Sequence, residues 1–324
     1  MSTREDILIK LKEKKNKWIS GGQISFALGI SRAAVSKHIC AFRKQGYEIQ
    51  SSSGKGYRLL HLPDQIHPFE INHGLNTKIF GRQKIVCLDR TDSTNIRARE
   101  MAVAGAHEGT VIIADTQTAG RGRKGRWWHS PEKGGIYMSL ILRPRLSPED
   151  APRITLMTAV ALAEALTAFT DAAIQIKWPN DLLINNKKIC GILTEISTEM
   201  DMVEYVILGM GMNVNMGPDA FSGGLEDIAT SLSMETGQTF DRAKVVKTIL
   251  EKFEETYDLF TAGSFDPIID RWKTFSSILG KTIRIDVLGK LHQGRVIDVD
   301  NSGVLIMEDT NGKVHRFYSG DVIL

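Results

Sequence analysis

Apolar positions recur with a helical period from the start of the chain. Ile7, Leu8 and Leu11 share one face of a first helix, and Ile24 and Leu28 lie one turn apart in a second. Gly29 follows, a residue free to take the left-handed conformation of a tight turn. Ser31 stands where an N-cap belongs, Val35, Ile39 and Phe42 continue at helical spacing, and Gly46 stops the third helix. Residues 47–50 and 57–60 then read as short strands around a Ser/Gly/Lys tip. The pattern predicts a helix-turn-helix followed by a wing, over residues 1–65.

Residues 61–75, with Pro63, Pro68 and Gly74, read as a linker. Beyond it, strands are expected at 84–88, 110–114, 136–142, 174–177, 182–184, 188–196 and 203–209. Helices are expected at 93–104, 152–169 and 241–277. The period predicts an α+β domain over 66–277, a mixed sheet flanked by helices. Short strands divided by Gly289, Asn301-Ser302-Gly303 and Asn311-Gly312 predict a small β-barrel over 278–324.

Charge sharpens the picture at the N-terminus. The formal net charge of +3 hides an asymmetry, because residues 1–62 hold 12 Lys and Arg against 4 Asp and Glu, and the rest 29 against 34. A basic head on a mildly acidic body points the head toward an anionic polymer. Ser31, Arg32, Ser36, Lys37 and Arg43 on the third helix, with Lys55 in the wing, are the candidate DNA contacts. A small protein-interaction domain is the plainer alternative. No apolar run reaches the ~18 residues of a membrane span, and no signal-like apolar region opens the chain. Cys40, Cys87 and Cys190 are scattered without a CxxC pair, which argues against a disulfide framework or thiolate zinc and suits a reducing cytoplasm.

Four segments carry candidate chemistry. Thr91-Asp92-Ser93-Thr94-Asn95 is a polar turn entering a helix, fit either for an ordinary N-cap or for a polar ligand head. Between Gln117 and Trp128, Gly120, Gly122 and Gly125 interleave with Arg121, Arg123, Lys124 and Arg126. The glycines let backbone bend around a ligand, the cations neutralise phosphates, and Trp127 or Trp128 gives a base a face. A basic nucleic-acid arm has similar composition but seldom lies between two apolar strands. No Walker loop is present.

The third segment, Lys177-Trp178-Pro179-Asn180-Asp181-Leu182, turns a corner between strands and brings Lys177 and Asp181 toward one point. That pair is either a structural salt bridge or an ammonium and a carboxylate serving phosphate and a divalent metal. Asn185-Asn186 turns a hairpin that returns Lys188, Gly191 and Glu195. In the fourth, Gly209-Met210-Gly211-Met212-Asn213, glycines alternate on one strand face and admit a flat ligand close to backbone. It is not GxGxxG, so no dinucleotide fold is indicated.

In this order, the glycine–arginine loop, the Lys177-Trp178-Pro179-Asn180-Asp181-Leu182 corner and the glycine strand resemble the biotin protein ligases, over essentially the whole chain. With the helix-turn-helix head, the chain is similar to the bifunctional ligase–repressors of bacteria. The resemblance implies a class II synthetase/biotin ligase-like central sheet, an SH3-like C-terminal barrel, and a two-step reaction using ATP, biotin and Mg²⁺. Biotin's carboxylate attacks the α-phosphate, giving biotinyl-5′-AMP, and a lysine of a biotin carboxyl carrier protein domain then displaces AMP. Ser93, Thr94, Asn95, Gln117, Gly120, Arg121, Gly122, Arg123, Lys188 and Gly191 would hold biotin. Arg121, Arg123, Arg126, Trp128, Lys177, Asn180 and Asn213 would hold ATP or the adenylate, with Trp128 against the adenine.

Lys177, Asp181 and Arg123 would act at the reacting centre, Asp181 orienting the incoming lysine or a metal. The loop after Asn213 would be ordered by the nucleotide, and biotinyl-5′-AMP would promote a homodimer that sets two heads on operator DNA. A non-catalytic sensor of a biotin-like metabolite, a lipoate-attaching enzyme and a structural nucleic-acid scaffold are the rivals, and each leaves some of these residues unexplained.

Overall fold

The alternating periods resolve into two units, residues 1–65 and 66–324, of which the computed structural model describes residues 3–64 and 66–323. In the first, α1 (Thr3–Glu13), α2 (Gly21–Leu28) and α3 (Arg32–Lys44) enclose Ile7, Leu11, Ile24, Val35, Ile39 and Phe42. Local chemistry sets the helix ends. Ser20 and Gln23 form a reciprocal capping box, Gly29 closes α2 at φ 64°, and Ser31 Oγ accepts from Ala34 N at 3.1 Å. β1 (Glu48–Ser52) and β2 (Gly56–His61) pair antiparallel as the wing.

The second unit starts earlier than its composition suggests. Residues 68–72 form a short helix, α4 (Pro68–Asn72), and Ile71 and Leu75 are buried in the main core, so this part of the expected linker is structural. The large sheet uses β3 (Ile85–Thr91), β4 (Val111–Gln117), β5 (Gly135–Leu142), β6 (Ile174–Lys177), β7 (Asp181–Ile184), β8 (Lys187–Glu199) and β9 (Met202–Asn213). Its order is β3-β4-β5-β9-β8-β7-β6, parallel only between β3 and β4. The parallel pair needs a crossover, which α5 (Thr94–Val103) supplies.

On the opposite face lies α6 (Ala151–Leu166), apolar almost all round because α8 (Arg242–Thr261) and α9 (Asp266–Phe275) cover its other side. The helical stretch expected over 241–277 comprises two helices, separated at Gly263 with φ 82°. A short α7 (Leu232–Thr236) precedes them.

The C-terminal segment forms β10 (Thr282–Val287), β11 (Lys290–Val299), β12 (Leu305–Glu308), β13 (Val314–Phe317) and β14 (Asp321–Ile323). The order is β13-β12-β11-β10-β14. No ladder joins β13 to β14 among the described residues, so the expected barrel is a five-stranded antiparallel sheet that is not closed. Among the described residues no helix is long and apolar enough to cross a membrane.

Candidate active site and nucleic-acid interface

A cavity of about 640 Å³ lies over β8 and β9, walled by the start of α5, the 120–128 loop, the β6–β7 corner and β14. Glycine makes its floor. Gly191 and Gly211 are cross-strand partners, as are Leu193 and Gly209. A Cβ on Gly211 would come within 2.5 Å of the Trp128 indole, and one on Gly209 within 2.2 Å of Asn95 Oδ1. Bare backbone here is what lets Trp128 and Asn95 approach the sheet.

One end of the cavity is a network of neutral hydrogen bonds. Thr94 N donates to Gln117 Oε1 at 2.8 Å, and Gln117 Nε2 donates to Ser130 Oγ at 2.9 Å. Ser93, Thr94 and Asn95 are buried, and Ser93 makes no side-chain cap bond, so its hydroxyl is not spent on the helix. Ser139 Oγ lies 2.8 Å from Thr94 Oγ1 and 2.6 Å from Asn95 Oδ1. Ser139 and Ser130 were not among the expected site residues. Ser139 had a visible signal, being the one serine in the apolar run of β5, whereas Ser130 had none.

The other end is cationic, with Arg121, Arg123, Arg126, Lys177 and Lys188 set against Asp181, Asp227 and Asp321. The 120–128 segment is an ordered hairpin: Trp128 N donates to Gly120 O at 2.9 Å and Gly122 N to Arg126 O at 2.7 Å. Lys124 and Gly125, at φ 56° and 73°, make its left-handed turn. Arg123 Nη1 donates to Asn180 Oδ1 at 3.0 Å, and Asn180 Nδ2 to Ile192 O at 2.7 Å, which binds the loop to the β6–β7 corner. Burial pushes Arg123 down, opposed by the charges of Asp321 and Asp181.

Lys177 and Asp181 are register partners across the β6–β7 corner, as their spacing predicted. The carboxylate's close ion pair, however, is with Lys188 at 2.6 Å. Lys188 Nζ also sits 5.2 Å from the Trp128 ring centroid. Burial lowers the Lys177 pKa below the usual lysine range, opposed by Asp181 and reinforced by Lys188. Asn213 turns its amide to Thr230 O at 3.0 Å, pinning the loop that follows β9. That loop is folded here, with Phe221 and Met216 buried against Tyr137 and Trp128.

Sequence gave no hint of Asp321, about 195 residues from the loop it serves. It pairs with Lys124 Nζ at 3.1 Å and Arg126 Nη2 at 2.5 Å, so β14 latches the 120–128 hairpin. Burial pushes Asp321 up, but those two cations outweigh it and hold the carboxyl below its ordinary value. Trp178 is also tied to the C-terminal sheet segment, donating from Nε1 to Gly303 O at 3.1 Å.

In the first unit Ser31, Arg32, Ser36, Lys37, Arg43 and Lys55 are all solvent-exposed. Ser31 is engaged as the α3 cap. Arg43 is engaged too, donating from Nε and Nη2 to Ile49 O at 2.8 and 2.6 Å, which staples α3 to the wing. Arg32, Ser36 and Lys37 project from the first half of α3, the part of a recognition helix that meets base edges.

A cation-rich cavity on a mixed sheet, in a chain headed by a helix-turn-helix, defines a nucleotide-using ligase with a DNA-binding unit. Family models divide the chain the same way. Residues 3–58 match an HTH domain, 87–213 the biotin/lipoate A/B protein ligase family, and 278–324 the biotin protein ligase C-terminal domain. Two bifunctional relatives share nearly the whole length. The bifunctional ligase/repressor BirA of Bacillus subtilis (strain 168) is 43% identical over 321 residues, spanning 99% of this chain and 98% of that protein.

The BirA of Escherichia coli (strain K12) is 28% identical, over 94% of this chain and 92% of that one. The chain belongs to the biotin protein ligase family, in its bifunctional ligase/repressor form. Among solved structures, a biotin protein ligase from Aquifex aeolicus in complex with biotin and ATP superposes with a TM-score of 0.64 at 29% identity. The match covers 74% of this chain and 98% of that chain.

Proposed function

We propose that the protein joins biotin to AMP with ATP, transfers the biotin to a lysine of a carboxylase carrier domain, and represses transcription from operator DNA as a biotinyl-5′-AMP-bound homodimer in the cytoplasm. The observation that carries the ligase reading is the cavity's polarity: a neutral hydrogen-bonding end beside a cation-lined end, over a floor of bare backbone. A heterocyclic acid suits the first and a nucleotide phosphate the second.

Biotin's carboxylate and the α-phosphate are both anions, so bringing them together requires compensating charge and orientation. Arg121 and Arg123 approach from the loop, and Lys177 from the corner. Lys177 steadies charge on the α-phosphate as the carboxylate oxygen attacks and pyrophosphate leaves. Asp181, held by Lys188, orients the carrier lysine in this reading, and release from that ion pair would free it to accept a proton. The hairpin latched by Asp321 shields the mixed anhydride from water.

Among the described residues no group of three or more acidic, His or Cys side chains could cage a metal. The cavity's carboxylates, Asp181, Asp227 and Asp321, form no such group, and a sparse donor set of this kind fits magnesium that arrives on nucleotide phosphates. Bound there, it would supply charge neutralisation of the phosphates. Arg32, Ser36, Lys37 and Lys55 are the side chains offered to DNA. A ligand that favours the dimer-competent state promotes the dimer by linkage.

The test is pyrophosphate release from ATP and Mg²⁺ with biotin, with lipoate, and with no acid. Release only with biotin, abolished in Lys177→Ala, supports the ligase. Release with lipoate alone makes it a lipoate-attaching enzyme, and none with folded protein makes it a ligand sensor.

A further inference from the structure

One carboxylate beside the site has no place in the reaction above. Glu195 follows Gly191 and Leu193 along β8 on the cavity-floor face and pairs in register with Ile207. It does not line the cavity. Its side chain is 25% exposed and bridges to α5, where Oε1 pairs with Arg99 Nη2 at 2.6 Å and Oε2 accepts from Asn95 Nδ2 at 2.7 Å. Asn95 does line the cavity, is 5% exposed, and fits there only because Gly209 has no side chain.

A primary amide can be flipped, exchanging donor for acceptor, unless its partners forbid it. A carboxylate accepts and does not donate. Glu195 therefore holds the Asn95 Nδ2 group toward itself and turns Oδ1 toward Ser139 Oγ, 2.6 Å away. Ser139 has one proton. Given to Asn95, it requires the Thr94 hydroxyl, 2.8 Å away, to donate to Ser139 in place of its longer 3.2 Å contact to Gln117 Oε1. The orientation set by Glu195 thus passes through Asn95 and Ser139 to Thr94, two of which line the cavity. It leaves the second N–H of Asn95 as the hydrogen that side chain can offer a ligand.

We propose that Glu195 is a positioning residue for the acid substrate, locking the Asn95 amide so that the polar end of the cavity presents a donor to the substrate's carbonyl. The proposal rests on the reading that this cavity binds biotin. Arg99 plays no part in it, being an exposed partner of the same carboxylate, and serves as the control for mere anchoring of α5 to β8.

The experiment measures biotin affinity by calorimetry, KM for ATP and kcat by pyrophosphate release, and melting temperature. The variants are Glu195→Ala, Glu195→Gln, Arg99→Ala, Asn95→Ala and the Glu195→Ala/Asn95→Ala double. Expected in Glu195→Ala is about a tenfold weakening for biotin, from loss of a part-buried charge-assisted bond, with KM for ATP and kcat within about twofold. Glu195→Gln has one oxygen for two donors, and with Arg99 on that oxygen its NH2 faces Asn95 and releases the lock, so biotin affinity falls there too, while Arg99→Ala leaves it unchanged. On the Asn95→Ala background, Glu195→Ala adds nothing.

Equal losses in Glu195→Ala and Arg99→Ala, or a Glu195 effect that persists without Asn95, would overturn the proposal. Full biotin affinity in Glu195→Ala would do the same. If Glu195→Ala does not fold, Glu195→Gln matching wild type while Asn95→Ala binds normally overturns it as well. Wild-type protein that binds no biotin overturns the functional reading instead.

Discussion

Asp321 joins the C-terminal sheet to the glycine–arginine hairpin, and removing its charge isolates what that latch contributes. Asp321→Asn keeps the volume and loses both ion pairs, to Lys124 at 3.1 Å and Arg126 at 2.5 Å. The cations are 40% and 66% exposed, so each pair is worth well under its Coulomb energy, and the two together about 1 kcal/mol. The hairpin's own bonds and the Arg123–Asn180 contact remain, so it should fold but disengage more often. A shift of about 1 kcal/mol raises the apparent KM for ATP by at most about fivefold, with biotin affinity unchanged.

The assay is KM for ATP at ionic strengths of about 0.02 M and about 0.5 M. Salt screens exposed pairs, so the variant and wild type should converge at the higher value. The sign with pH is also set. The carboxyl is held below its ordinary value, so the latch is present above that value and lost as pH falls through the lowered one. The variant's ATP defect should therefore be flat from about pH 6 to about pH 8.5, far above the ordinary carboxyl pKa of about 3.9. An unchanged KM at low salt, or a salt-independent collapse of kcat, would refute the latch.

Lys177 carries a pKa lowered by burial, so its ammonium is lost as pH rises through a value below the usual lysine range. Pyrophosphate release should fall on an alkaline limb earlier than ~10.4, and Lys177→Arg should abolish that limb whatever rate it retains. Gly209→Ala puts a methyl 2.2 Å from Asn95 Oδ1, and calorimetry should show biotin binding weakened by about 1–3 kcal/mol, the range of overpacking penalties. In the first unit, Gly56→Ala combines φ +98° with a Cβ 2.2 Å from Ile19 O, so thermal melts should show that unit destabilised by more than about 1 kcal/mol. Lys55→Ala, at the exposed tip of the wing, should weaken DNA binding uniformly across sequences and reduce the salt slope of the binding constant by about 1.

Local and periodic features were legible in the chain. Gly29 and Ser31 mark the turn of the head, because a left-handed backbone and an N-cap each demand a small class of residues. The Lys177–Asp181 register followed from four-residue spacing around a proline corner. Element ends were less legible. Residues 241–277 show one helical period across the Gly263 break, because α8 and α9 bury the same kind of face against α6. Residues 68–75 have a linker's composition, yet Ile71 and Leu75 find the core.

By itself the sequence determined the order of elements, the basic head, the glycines that must lie close to something, and the cations that must meet phosphate. These are properties of single residues and short spacings, which the backbone expresses wherever it lies. Tertiary structure alone decided the partners. Asp181 faces Lys188 closely, Arg43 serves the wing, Asn213 holds Thr230, and Asp321 and Glu195 reach groups 195 and 100 residues away. Charge and hydrogen-bonding capacity are written in the chain, but which donor meets which acceptor depends on strand order and on helices packed across the sheet, and no local spacing encodes either.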